Sequence, residues 1–170
     1  MCPFADAISQ TAQAFLPATE NLPATSQRSV VSKLHVAGAG VGVLCASALY
    51  SLIAHGGGMF TKDVAVHAAM RGAAPWVAAS FLVQGVMLAA EGTRLARRDL
   101  KYVAAVYIAG MATFPALCAR TARSAPTTGL LWKGFVAFQV MRLFSFGARV
   151  IATEYCEPNV TVKSEDWLCE

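Results

Sequence analysis

Long apolar runs separated by short polar stretches dominate the chain. VAGAGVGVLCASALYSLIA (36–54), AAPWVAASFLVQGVMLAA (73–90) and YVAAVYIAGMATFPALCA (102–119) each hold 18 or 19 residues without a formal charge. At about 1.5 Å per helical residue, each is long enough to cross a hydrocarbon layer roughly 30 Å thick. A fourth run, GLLWKGFVAFQVMRLFSFGARVIA (129–152), is interrupted by basic residues. A short open set of strands would leave its edges unsatisfied in lipid, so the pattern predicts an all-α, integral membrane domain of four helices over 35–152. Polar tails flank it at 1–34 and 153–170. The competing reading is a soluble bundle of alanine-rich buried helices.

Within the first tail, Phe4, Ile8, Ala12 and Phe15 recur at helical spacing before Pro17, which predicts a short amphipathic helix lying on lipid or a partner. LPATENLPATSQRS (16–29) reads as a tether. His55 and the glycines at 56–58 predict a permissive turn after the first span, and Asp63 is placed to cap the next helix. Arg71-Gly72 and Pro75 predict an interfacial helical turn that bends into the second span. Glu91-Gly92 marks that span's end and TRLARRDLK (93–101) a basic loop. Pro115 predicts a kink or, more conservatively, helix termination near Pro115 to Cys118. ARTARSAPTTG (119–129) reads as the next loop.

Hydrophobic residues make up 56% of the 170-residue chain and charged residues only 14%, a balance unlike that of a water-soluble domain. The net charge of +4 does not point to nucleic acid, because the basic residues flank apolar runs and form no patch interleaved with aromatics. With Arg142 assigned to neither side, Arg28, Lys33, Arg94, Arg97, Arg98, Lys101, Arg149 and Lys163 give eight basic residues on the side of the termini. Lys62, Arg71, Arg120, Arg123 and Lys133 give five on the other. The excess favours the first side as cytoplasmic, matrix-like or stromal. Cys2, Cys45, Cys118, Cys156 and Cys169 have no metal-ligand spacing; Cys156 and Cys169 are either paired or free thiols. NVT at 159–161 matches a glycosylation acceptor, with an unmodified turn as the alternative.

Several polar and small residues inside the runs are candidates for helix packing: Gly38, Gly42, Ala46, Gln84, Gly85, Gln139 and Arg142. Gly38, Gly42 and Ala46 put small residues on one helical face, where another helix can approach closely. Gln84 requires a partner, because an unpaired amide costs about 2–7 kcal/mol away from water. Glu91 reads as interfacial, with a proton or cation ligand as the alternative. Phe135, Gln139, Arg142, Phe146 and Arg149 share a face of the fourth span. Lys133 and Arg149 reach opposite interfaces, whereas Arg142 must snorkel, pair or line a protein-filled interface. There is no phosphate loop between strand and helix, no zinc motif and no inferable Ser-His-Asp arrangement, so catalysis is not expected.

The order of these elements resembles the C-terminal part of the multidrug and toxic compound extrusion (MATE) family. FTKD (60–63) looks like that family's short loop before a helix. APWVAASFLVQGVMLAAEG (74–92) resembles its helix with an early proline and a central polar-Gly-Val group, and WKGFVAFQVMRLFSFGARV (132–150) resembles its last helix. The likeness covers roughly residues 28–152. It implies a truncated, four-helix portion of a cation-coupled exporter, lacking the first half and most of the cavity; Gln84 stands where relatives often carry Asp or another polar group. Alternating access needs two bodies moving against each other. The expected role is therefore a non-catalytic scaffold or accessory subunit of a larger membrane complex, contacting other integral membrane subunits and lipid. The alternative is a cation-coupled antiporter completed by oligomerisation or by a partner. Plastid relatives favour a photosystem or light-harvesting supercomplex in the thylakoid membrane, with chlorophyll, carotenoid or structural lipid as conceivable cofactors. His35, His55, His67, Gln84 and Glu91 would then be candidate magnesium ligands, the alternative being polar residues at interfaces without a cofactor.

Overall fold

Each apolar run lies inside a longer helix. The computed structural model describes residues 3–124 and 127–156, and no strand occurs among them. In chain order the elements are α1 (Pro3–Phe15), a 3-10 turn (Pro17–Thr19), α2 (Ala24–His55), the short α3 (Gly57–Phe60), α4 (Val64–Ala96), α5 (Leu100–Ser124), α6 (Thr128–Val150) and a π-helical turn (Ile151–Cys156). Four of these helices, α2, α4, α5 and α6 with its π-turn, are long and apolar enough to cross a membrane. The glycosylation acceptor at 159–161, Cys2 and the Cys156–Cys169 pairing lie outside the described residues or depend on residues that do.

The helices outrun the hydrophobic segments that announced them. α2 has 32 residues and α4 has 33, about 48 and 50 Å, so each exceeds the hydrocarbon layer by several turns. Residues 24–29, expected to be tether, form the first turns of α2, and the connection from α1 shrinks to residues 16–23. α4 runs unbroken through Arg71-Gly72 and Pro75, so the helical turn expected there belongs to the same helix as the second span. Proline at 75 removes the donor that would bond the Arg71 carbonyl, a one-bond deficit that the rest of the helix carries. α5 likewise continues through Pro115 to Ser124, so Arg120 and Arg123 sit on its last turns and not in a loop.

The predicted basic loop is also mostly helix. Glu91, Gly92, Thr93 and Arg94 are buried within α4, and the chain reverses only over 97–99, where Arg98 adopts the left-handed conformation (φ 57°). Asp63 caps α4, its Oδ1 accepting from the Ala65 amide at 2.8 Å. At the other end of that connection the glycines work through their size. Gly56 has φ −87°, and Gly57 lies against the His67 ring, where an added Cβ would come within 3.3 Å.

α4 is the buried spine. α2, α6 and α1 pack along it, while α5 leans mainly on α6. The α2–α4 crossing is built on glycine: a Cβ at Gly38 would lie 2.6 Å from the Gly85 carbonyl oxygen, one at Gly42 would lie 2.9 Å from that of Leu82, and one at Gly85 would fall on the Gly38 carbonyl. Ala46 is buried on the same α2 face. Such contact brings two helix backbones together with no side chain between them, which supplies packing where lipid offers no hydrophobic drive.

α1 is amphipathic, as its spacing predicts, yet its buried side rests on this same chain. Ser9 meets Gly92 so closely that a Cβ there would lie 2.7 Å from the Ser9 Cα. Ala12 and Leu16 are fully buried, whereas Phe15, expected on the apolar face, is 63% exposed. The main core therefore lies towards one end of the bundle, where Ala12 and Leu16 join Val31, Leu34, Met87, Leu88, Val103, Phe146 and Val150. Elsewhere Val36, Leu44, Ile108, Met111 and Phe144 point outward from the helices, as residues facing lipid would.

The glycine seam makes a specific prediction. Gly38→Val drives a branched side chain into α4 backbone, which no rotamer relieves, and lowers unfolding free energy by about 1–3 kcal/mol or more. Gly40, with nothing within 4 Å of an added Cβ, accepts alanine without loss. Unfolding in mixed micelles, followed by circular dichroism, distinguishes the two variants.

Candidate functional site

Three of the helices long and apolar enough to cross a membrane contribute to a polar network inside the bundle. Glu91 comes from α4, Tyr107 from α5 and Arg142 from α6. Arg142 Nη2 donates to Glu91 Oε2 at 2.7 Å, and the Tyr107 hydroxyl donates to Glu91 Oε1 at 2.6 Å. The same hydroxyl accepts from Arg142 Nη2 at 3.1 Å, and Gln139 Oε1 accepts from Arg142 Nη1 at 3.4 Å. Both carboxylate oxygens are thus occupied by donors from different helices. The guanidinium lies 5.0 Å from the Tyr107 ring centroid and 5.7 Å from that of Phe138, so aromatic faces shield the charge as well. Arg142 Nε is buried without a protein partner.

The ion pair solves the problem posed by Arg142. A charge at membrane depth is costly, and a neighbouring opposite charge with additional hydrogen bonds is what makes it tolerable. Glu91 is 6% exposed and Gln139 2%. Arg142 therefore pairs inside the protein rather than snorkelling, with Glu91 as its buried counter-ion.

A second network closes the end of the bundle formed by the start of α2 and the ends of α4 and α6. Glu154, on the π-turn, receives Arg94 Nη2 at 2.8 Å and a fork from Arg97, Nε at 3.0 Å and Nη2 at 2.9 Å. Arg28 Nε donates to the Glu154 carbonyl at 2.8 Å, and Arg97 also reaches Gln27 Oε1 at 2.8 Å. Asp99, in the reversal after α4, accepts from Arg149 Nε at 3.0 Å, with Arg94 Nη1 4.0 Å away. Arg149 stacks 5.3 Å from the Tyr102 ring. The start of α2, the end of α4, the 97–99 reversal and the end of α6 are thereby tied through two carboxylates. Four of the eight basic residues assigned to this side from sequence meet here. Lys133, assigned to the opposite side, lies over the Trp76 ring at 4.8 Å.

The remaining candidates stay apart. His35 Nδ1 is hydrogen-bonded to the Val31 carbonyl at 2.8 Å, His67 Nε2 to the Thr61 carbonyl at 2.7 Å, and His55 is exposed at the end of α2. Gln84 is half-buried beside the glycine seam and makes no hydrogen bond to another described residue, contrary to the partner expected for it. Among the proposed magnesium ligands, Glu91 is already held by Arg142 and Tyr107. Sequence reasoning missed Tyr107, Arg94, Glu154 and Ser9. Tyr107 was one aromatic in an apolar run, and Glu154 one acid in a polar tail; only the fold gives either a partner. No protein-family model, curated protein or solved structure matches the chain.

Two measurements follow from the networks. Arg142→Met strands Glu91 without a counter-charge and lowers unfolding free energy by about 3–5 kcal/mol. Adding Glu91→Gln recovers part of that loss, whereas a double variant as costly as the sum of the singles would show the residues to be uncoupled. At the bundle end, Glu154→Gln weakens the interactions with Arg94 and Arg97, and amide hydrogen exchange over residues 151–156 accelerates at least tenfold, as expected for losing about 1.5–3 kcal/mol of charged hydrogen bonding.

Proposed function

We propose that the chain is a non-catalytic scaffold or accessory subunit embedded in a larger membrane complex and derived from the C-terminal part of a MATE-type transporter. The observation that supports this reading is the use made of the intramembrane charges. A coupling carboxylate must exchange its proton or cation during a transport cycle. Glu91 instead accepts from Arg142 and Tyr107 at once, holding α4, α5 and α6 in register. The ends of α2, α4 and α6 are similarly tied by Glu154 and Asp99. These bonds suit a body that keeps its shape more than one that rocks between two states.

A subunit with this role needs surfaces for its neighbours. α2 and α5 carry outward-facing apolar residues, including Val36, Leu44, Ile108 and Met111, available to other integral membrane subunits or to lipid. A photosynthetic supercomplex in the thylakoid membrane is the host that the family resemblance favours. The transporter alternative, an oligomeric cation-coupled antiporter, draws on the presence of an intramembrane carboxylate at Glu91. The two readings separate on native isolation. Affinity-tagged protein extracted in mild detergent and run on a native gel migrates with a large complex at fixed stoichiometry if it is a scaffold. Recovery solely as a homo-oligomer contradicts that role.

A further inference from the structure

Five basic residues outside the two polar networks share the end of the bundle where α4 and α6 begin and α5 finishes. Residues 55–76 and 115–133, around the α2–α4 and α5–α6 connections, hold Lys62, Arg71, Arg120, Arg123 and Lys133 against the single acid Asp63. All five are exposed. Among the described residues no carboxylate forms an ion pair with Lys62, Arg71, Arg123 or Lys133, and Asp63 Oδ1 is occupied by the Ala65 amide. The start of α6 meets α4 here: a Cβ at Gly129 would lie 3.5 Å from the Gly72 carbonyl oxygen, and Lys133 covers Trp76. α5 ends at Ser124, so its last turns reach the same end as the start of α6 at Thr128. The opposite end has more basic residues in the sequence, but Glu154 and Asp99 engage Arg94, Arg97 and Arg149 there. Orientation bias counts basic residues whatever acids accompany them, so it does not account for an uncompensated excess on the side that has fewer.

On α5, two of these charges frame a groove. Arg120 and Arg123 line an open space of about 580 Å³ whose other walls are Ala116 and Ala119. Three residues apart, the arginines project from one side of the helix. Ile108, Ala112, Ala116 and Ala119 continue that exposed face along α5 at helical spacing. Ile108 and Ala119 are eleven residues apart, about 16 Å, which is the depth of one leaflet in a hydrocarbon layer roughly 30 Å thick. A basic clamp above an apolar strip of that length matches a phosphodiester with an acyl chain beneath it. Guanidinium forks suit phosphate oxygens, and each carries five N–H donors, so one engaged donor leaves others for the ligand. The surroundings also set the ligand's charge. A zwitterionic headgroup would bring its own ammonium among five basic residues and one acid, whereas an anionic headgroup supplies the missing charge.

We propose that this face of α5 holds an anionic phospholipid, its phosphate between Arg120 and Arg123 and one acyl chain along Ala119, Ala116, Ala112 and Ile108. The site requires the four long helices to cross a bilayer and is independent of the scaffold role.

The test uses the full chain in nanodiscs of equimolar phosphatidylglycerol and phosphatidylcholine with identical acyl chains, and native mass spectrometry counts the lipids it retains. Phosphatidylglycerol is retained over phosphatidylcholine by about tenfold or more, the factor for a hydrogen bond to a charged group. Arg120→Gln with Arg123→Gln removes most of that preference. Lys33→Gln with Arg98→Gln, which takes the same charge from the other end, leaves it unchanged. Ala116→Trp fills the groove without altering charge and also removes the preference; at an exposed position, it decides the matter alone if the arginine pair proves necessary for folding. A large excess of glycerophosphoglycerol, the same headgroup without chains, leaves the lipid bound. Equal retention of the two lipids, an equal loss in the Lys33–Arg98 control, an unchanged preference in folded Ala116→Trp, or displacement by the chain-free headgroup would each overturn the proposal.

Discussion

An arginine in the middle of a membrane-grade helix dictates much of this architecture. Arg142 can occupy its place in α6 only with a counter-charge and further hydrogen-bonding groups within reach, and Glu91, Tyr107 and Gln139 are those groups. Meeting that requirement sets the rotation of α6 against α4 and brings α5 to the same level through Tyr107. α4 can serve as the common partner because its opposite side is closed by glycine: Gly85 lets α2 approach to backbone contact, and Gly92 lets α1 do the same through Ser9. One helix thus carries the carboxylate and both close crossings. This is why its C-terminal half is so fully buried.

The bundle is held differently at its two ends. Where α2 begins and α4 and α6 end, a hydrophobic core is sealed by Glu154 and Asp99 among four arginines. Towards the other end the polar ties thin out to local contacts such as Lys133 over Trp76, and α5 departs from the bundle with mostly exposed side chains. A body firm at one end, with exposed apolar helix faces, is suited to docking among other membrane helices.

The parts legible in the sequence were those fixed by local pattern. Four apolar runs gave the spanning helices, four-residue spacing of small residues gave the α2 seam, and an aspartate before an apolar run gave the cap at Asp63. What escaped was polar sequence that the fold buries. EGTRLA after the second span has the composition of a loop, and it is helix because α1 covers it and Glu154 neutralises Arg94 from 60 positions away. Proline misled only where it was read as an end: α5 continues past Pro115 to Ser124. Arg142 was recognisable as a problem, but its solution required knowing which face of α5 carried Tyr107.

The functional account depends on Glu91 being committed to Arg142 and Tyr107 rather than to a transported ion. The most direct test is flux through the chain alone, reconstituted in liposomes under an imposed proton or sodium gradient with a lipophilic cation dye as solute. The account predicts leakage no greater than in empty liposomes. Saturable, gradient-driven movement that disappears in Glu91→Gln would contradict it.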